Sequence, residues 1–383
     1  IMYDVPHLRF PEFSGEWEKY RLCDVASIVG RIGFRGYTTN DIVTKGKGAI
    51  ALSPTNIENN KLTYDKDNTY ISFYKYEESP EIMIKQGDVI FVKTGSTVGK
   101  VAYVDKLICK TTLNPQVVVL KDIQCDNYLL SVLMSTNKFQ NAIRKIIVGG
   151  AVPTLSQAAM GDIVVTMPQA TEQEKLSKFI SLLDDRIATQ NKIIEDLKIL
   201  KSAIAERLFN STDGDILSLS DVCIIQKGKQ VNGEDLSETG KFYVMNGGVE
   251  PSGYYDQCNT PANTISISEG GNSCGYIQYN RDAFWSGGHC YTLNNIQPNV
   301  CKLYLYHYLK SQESSIMKLR IGTGLPNIQK KDLEKFHILL TSKAIQESIS
   351  AFLTTIDRKI TNEDMLLQRF QKGKQYLLRQ MFI

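Results

Sequence analysis

The chain repeats itself, and that limits its folds more than anything else in its 383 residues. At a constant offset of 173, Pro153–Phe209 falls on Pro326–Phe382 without a gap. Pro153 meets Pro326, Gln173-Glu174 meets Gln346-Glu347, Asp184 meets Asp357, Lys201 meets Lys374 and Phe209 meets Phe382. A fixed-offset match of this length means two copies of one structural plan. Upstream the match is looser. Gly95-x-x-x-Gly99-x-Val101-x-Tyr103 lies on Gly271-x-x-x-Gly275-x-Ile277-x-Tyr279, and Leu22-x-Asp24-Val25 lies on Leu219-x-Asp221-Val222. The offset falls from 197 at that last pair to 173, so the first copy is 24 residues longer. Extra loop around Thr38–Tyr76 is the expected place for the difference.

The matched tails read as long helices. Thr171-Glu172-Gln173-Glu174 after Pro168 has the form of a capping box, and Asn210–Gly214 supplies stop residues. From Leu176 to Leu208, steps of four and three alternate through Ile180, Leu183, Ile187, Gln190, Ile194, Leu197, Lys201 and Ile204. Ile349 to Met381 does the same, with Glu363 and Lys374 at the two polar places. These are heptad seams, and about 39 residues of helix make roughly 58 Å of rod. Chain order requires the two helices to run antiparallel. Setting Lys201 opposite Glu363 and Gln190 opposite Lys374 matches every apolar layer to an apolar layer, which is the register expected.

Between the tails lie short β-rich runs: Asp88–Lys93, Val101–Val104, Gln116–Leu120, then Thr264–Ser268, Tyr276–Tyr279 and Cys290–Leu293. Each region closes with a helical stretch, Asn127–Ile146 and Cys301–Leu319. The fold class expected is α+β: two similar, mixed β-rich globules, each with a closing helix, joined by two long antiparallel coiled-coil helices. The boundaries are a first globule over 1–168, a spacer helix over 169–212, a second globule over 213–341 and a second helix over 342–383.

Searching for chemistry returns little. Gly95-Ser-Thr-Val-Gly99-Lys100 has three residues between its glycines, and Val101 stands where a phosphate loop needs Ser or Thr, so it reads as a tight turn. Gly30, Gly33 and Gly36 lack dinucleotide spacing, the four His are dispersed, and neither an H-E-x-x-H nor a C-x-x-C occurs. No Asn-Pro-Pro-aromatic methyltransferase signature is present; Asn114-Pro115-Gln116 is the nearest approach. No metal site and no catalytic residue are expected. Eight scattered Cys read as free, mostly buried thiols in a reducing cytosol. No run of about 20 apolar residues spans a membrane. Ile1–Phe10, with Asp4, Pro6, His7 and Arg9, does not read as a signal peptide, and Ile at position 1 leaves room for a start Met upstream.

Net charge is only +3, and residues 1–168 carry 19 basic against 17 acidic side chains, residues 213–341 11 against 13. Binding by bulk charge is therefore disfavoured, and local clusters carry the argument. They are Arg31, Arg35, Lys45 and Lys47 against Asp41; Lys93, Lys100, Lys106 and Lys110 against Asp105, with Thr94 and Ser96 among them; and, in the second globule, Lys227 and Lys229, then Lys310, Lys318, Arg320, Lys330 and Lys331 near the closing helix. Such groups suit phosphates. Asn246, Tyr254, Tyr255, Asn272 and Ser273 lie in loops suited to reading base edges, with packing as the alternative for the tyrosines.

Taken together, the chain resembles the specificity subunit of type I restriction-modification systems. The carriers are Leu8-Arg9-Phe10-Pro11-Glu12-Phe13 with Gly15-Glu16-Trp17-Glu18, the tails Leu176–Phe209 and Ile349–Phe382, and the turns Gly149-x-x-x-Pro153 and Gly322-x-x-x-Pro326. The Asn246-Gly-Gly, Pro251-Ser-Gly-Tyr254 and Trp285 stretches fit as well. The resemblance implies two target recognition domains reading a bipartite, asymmetric site in double-stranded DNA, with helices that set the gap. It implies two modification subunits using S-adenosylmethionine to methylate adenine, and restriction subunits using ATP and Mg2+, with no cofactor in this cytoplasmic chain. The competing readings are a coiled-coil protein-binding scaffold without DNA readout, and an enzyme with an unrecognised site.

Overall fold

A computed structural model describes residues 5–64, 67–322, 324 and 326–382. The reading of the amino terminus rests in part on Ile1 and Asp4, which lie outside the described residues. The chain divides into two compact units, residues 1–188 with 368–383, and residues 189–367. The long helices, Ala170–Asn210 and Lys343–Met381, are thus not separate spacer domains. Each unit holds a segment of both.

The same sheet recurs in the two units. In the first, Ser27–Gly30, Val117–Lys121, Val89–Val92 and Val101–Tyr103 are neighbours in that order, and in the second Ile224–Lys227, Cys290–Asn294, Thr264–Ser268 and Ile277–Asn280 are. All these neighbours pair antiparallel. Val89–Val92 and Thr264–Ser268 are buried on both faces, which is why they read as continuous apolar or small-residue runs. A two-stranded ladder brings the ends of each globule together, Glu18–Arg21 on Val164–Met167 and Asp215–Ser218 on His337–Leu340.

The extra residues of the first copy are more than loop. Ile42–Val43, Gly48–Leu52, Ile57–Glu58, Asn60–Leu62 and Tyr70–Ser72 are strands, and Gly48–Leu52 is buried throughout. Gly48–Leu52 pairs parallel with Thr111–Leu113, and Asn60–Leu62 parallel with Val101–Tyr103. The apolar Ala49–Leu52 run gives the insertion its own core contribution, with Ile50, Leu52 and Ile57 packed on Ile90 and Val92. The closing helices are each broken once, into Asn127–Ser135 and Asn137–Ile146, and into Lys302–Ser311 and Glu313–Met317. Extended dihedrals at Thr136 make the first break.

The central helix starts at Ala170, ahead of the expected Thr171 cap. Gln169 carbonyl takes the amides of Glu172 and Gln173, both at 3.0 Å. Gln173 and its repeat-equivalent Gln346 then do the same work. Each donates to the carbonyl of a residue just before its helix, Pro168 and Thr341, at 2.8 Å. Each accepts an amide from the start of its closing helix, Asp126 at 3.0 Å and Cys301 at 2.7 Å.

Within each unit the helix segments run antiparallel, but in a different register from the one expected. Lys201 does not meet Glu363 and Gln190 does not meet Lys374. In the second unit Gln190, 1% exposed, donates to Glu363 at 2.5 Å, while Lys201 pairs with Asp357 at 2.5 Å. In the first, Lys374 pairs with Asp184, which also accepts from Tyr128 at 2.6 Å. Asp357 lies six residues before Glu363, nearly a heptad away. A carboxylate satisfies an ammonium group better than an amide does. Asp184 and Asp357 stand beside the seam, not on it, so layer-matching ignored the groups that decide the alignment.

His307 packs against this seam in the second unit, 3% exposed, with Nε2 3.0 Å from Thr354 Oγ1 and Nδ1 3.9 Å from Asp357. Burial, reinforced by Lys201 and opposed by Asp357, lowers its pKa from the ordinary 6.5 to about 4. As pH falls, the unfolded chain therefore takes up the proton before the folded one. The stability involved is complete above 6.5 and is lost between about 6.5 and 4, up to about 3 kcal/mol. Acid titration of the melting temperature should show this loss, and His307→Gln should flatten it. An unchanged acid slope in the variant would show that His307 is not its source.

Candidate nucleic-acid interface

Each central sheet ends in a glycine turn locked to a second loop. In the first unit the turn joins Val89–Val92 to Val101–Tyr103. Val98 amide donates to Gly95 carbonyl at 3.1 Å, Gly99 amide to Val92 carbonyl at 3.0 Å and Lys100 amide to Thr97 carbonyl at 3.2 Å. In the second, Cys274, Gly275 and Tyr276 donate to Gly271, Ser268 and Ser273 at 3.1, 2.8 and 2.9 Å. Gly95 and Gly99, like Gly271 and Gly275, have positive φ, a conformation side chains resist.

The second loop arrives from the end of the closing helix. Gly95 amide donates to Pro153 carbonyl and Gly271 amide to Pro326 carbonyl, each at 2.9 Å. Lys93 carbonyl takes Leu155 amide at 2.8 Å, and Glu269 carbonyl takes Ile328 amide at 2.9 Å. The loops themselves stand out from the surface: Val148 is 67% exposed and its repeat-equivalent Ile321 53%.

The structure separates the charged candidates. Arg31 is buried and turned inward, donating to Leu113 carbonyl at 2.8 Å and Thr112 Oγ1 at 3.1 Å. Burial lowers its pKa, and it is a structural brace, not a phosphate ligand. Arg35 faces Glu81 at 3.4 Å, Lys110 faces Glu77 at 3.6 Å with its ammonium group over Phe73, and Lys227 faces Glu269 at 2.6 Å. Lys45, Lys47, Lys229, Ser96 and Asn272 are exposed, as is Lys100, which donates to Ile57 carbonyl at 3.3 Å. Lys93, Thr94 and Ser273 are half-buried in the glycine turns. Asn246 is half-buried too, its Oδ1 accepting from His289 amide at 3.0 Å. Of the tyrosines, Tyr255 packs its edge on Trp285, and Tyr254 stays 36% exposed on the same strand.

Two hollows bring candidates together. One, of about 620 Å³ in the first unit, places Ser96 and Lys100 opposite Asn59 and Asn60. The other, of about 460 Å³ in the second, places Lys227 and Lys229 beside Asn259, Asn294 and Asn295. The asparagines escaped the sequence reading; the positive φ of Asn59, Asn60 and Asn295 marks turns that an isolated Asn-Asn pair could have signalled.

Among the described residues no group of three or more His, Cys, Asp or Glu side chains is placed to hold a metal, and no helix is long and apolar enough to cross a membrane. All eight Cys are free, but only Cys223, Cys274 and Cys290 are buried, fewer than expected. Burial pushes Cys290 up to about 11, which makes it a poor nucleophile.

Two copies of one β-rich globule, each closed on segments of both long helices and each ending in the same locked loops, make this a duplicated two-unit protein. The chain belongs to the family described as the type I restriction modification DNA specificity domain, which matches residues 14–198 and 213–369. It is 35% identical over 160 residues to a Mycoplasma genitalium protein and 34% over 160 to a Mycoplasma pneumoniae protein, both named as type I specificity subunits. Each match covers 41% of this chain and 42% of the relative, so the chain spans about two-fifths of those curated relatives. A crystal structure of a type I restriction-modification S subunit from M. genitalium is similar over 99% of both chains, with a TM-score of 0.64 and 18% identity. That likeness is one of fold.

Proposed function

We infer that this chain is a sequence-specific DNA-binding specificity subunit. Each globule reads one half of a bipartite, asymmetric site in double-stranded DNA, and the chain directs partner subunits to it. The observation that carries this is the double family match, which falls once on each half of the chain. The partners are two modification subunits, which bind S-adenosylmethionine and methylate adenine, and restriction subunits, which use ATP and Mg2+ to translocate and cleave. This chain contributes recognition without a catalytic group of its own, and it works in the cytoplasm. Phosphates are held by exposed cations such as Lys45, Lys47, Lys100 and Lys229. Bases are read by the amides and hydroxyls around them.

The test is methylome sequencing of cells with and without the gene. The expected result is one bipartite adenine-methylated motif that disappears with it. Loss of the gene with an unchanged methylome, in cells that keep the modification subunits, would favour a scaffold without DNA readout. Methyl transfer by the purified chain alone would make it an enzyme.

A further inference from the structure

We propose that the locked loop pair of each globule is a phosphate-backbone cradle, the same in both halves, which holds the duplex while neighbouring, divergent residues read the bases. This rests on the DNA reading above and adds to it a division of labour inside each globule.

The first support is repetition. The two globules differ over most of their surface loops, and the first carries a strand-bearing insertion. Yet glycine turn, crossing loop and the hydrogen bonds between them recur at equivalent positions, down to isolated bridges Thr94–Thr154 and Gly270–Asn327. A surface that diverges reads something variable, and one that stays constant meets something constant. In duplex DNA the constant part is the sugar-phosphate backbone.

The second support is charge. The chain has 41 acidic residues, but none lies in 94–104 or 144–158, nor in the repeat-equivalent 270–280 and 317–331. These loop regions hold three basic residues in the first globule and four in the second. Arg144 and Lys145 precede the exposed Val148, and Lys318 and Arg320 precede the exposed Ile321; all four cations are exposed. Lys145 and Lys318 are repeat-equivalent.

The third support is the backbone. The amides of Ser96 and Thr97, and those of their equivalents Asn272 and Ser273, have no acceptor among the described residues. Two consecutive unpaired amides in a half-exposed turn, within loop regions that carry cations, present donors for an anionic oxygen. A surface for a protein partner would be expected to centre on apolar side chains; here the exposed ones are Val148 and Val152 in the first loop and, among the described residues, Ile321 in the second, each loop flanked by exposed cations.

The experiment uses the full chain assembled with modification subunits. Arg144→Ala/Lys145→Ala and Lys318→Ala/Arg320→Ala are compared with wild type for duplex affinity across salt concentrations and for the methylated motif. Both double variants should bind every sequence more weakly, with the salt slope reduced by ~1 for each phosphate no longer neutralised. The motif should not change. Arg144→Lys with Lys145→Arg should restore binding, and unchanged melting temperatures would show that the fold is intact. Wild-type affinity and slope in both variants would overturn the cradle while leaving the DNA reading standing. So would an altered motif, which would make these loops base readers. Normal DNA binding with lost subunit assembly would make them a protein-docking surface. Failure of the wild-type complex to bind any duplex would remove the DNA reading itself.

Discussion

Replacing residues 213–341 by the matching segment of another family member should exchange one half-site of the methylated motif and leave the other half unchanged. Asp213 follows the helix ending at Asn210, and Thr341 precedes the one starting at Lys343. Inside them, Asp215 pairs directly with Leu340, so both cut points lie at the same end of one short ladder. Specific interactions cross the cut: Gln346 accepts from Cys301 amide and donates to Asn299 carbonyl, His307 meets Thr354, and Tyr304 and Tyr308 pack on Phe209. A donor segment needs aromatic side chains at those two places to keep the second unit folded. The effect on recognition should be large. Each mismatched base pair costs ~1–3 kcal/mol, so two changed positions alter affinity by roughly 30- to 20,000-fold. Methylome sequencing of the chimera reads both halves at once. A chimera in which both half-sites change, or neither, would refute one reader per globule.

What was legible in the sequence was the part governed by local pattern. Thr264–Ser268 was found residue for residue, because a short β-branched run between turn residues has few alternatives. The helices were legible through the heptad, to within a residue or two of their ends. Long-range choices were not. The helix register turned on Asp184 and Asp357, whose importance appears only once Lys374 and Lys201 lie against them. Arg31 looked like a member of a basic cluster, and only the strand Thr111–Leu113, eighty residues away, makes it a buried brace. In the same way both glycine loops were visible as motifs, but their locking by Pro153 and Pro326 carbonyls was not. Backbone bonds between distant loops leave no periodic trace.

Arg9→Ala should be the most damaging single change in the first unit. Arg9 holds Glu172 with two parallel bonds, Nε to Oε1 at 2.7 Å and Nη2 to Oε2 at 2.6 Å, and its Nη1 donates to Gly15 carbonyl at 2.6 Å. The Glu172 side chain is 1% exposed and that of Arg9 12%. Glu172 sits in the first turn of the central helix, where a negative charge is favoured. The same amino-terminal segment is tied down by Leu8 amide on Gln380 carbonyl at 2.9 Å and by Phe10 against Phe179. Truncating Arg9 leaves a carboxylate in the interior without its cation, a change that costs ~3–5 kcal/mol. Denaturant unfolding should show that loss in the first unit, with the second unit's transition in place. The double variant Arg9→Met/Glu172→Leu separates the pair's own value from the penalty of stranding one charge. It should recover most of the stability, because apolar replacement of a buried pair is often neutral. If Arg9→Ala alone cost less than ~1 kcal/mol, the pair would be behaving as a surface ion pair, and the amino-terminal segment would be held by Leu8, Phe10 and Trp17 instead.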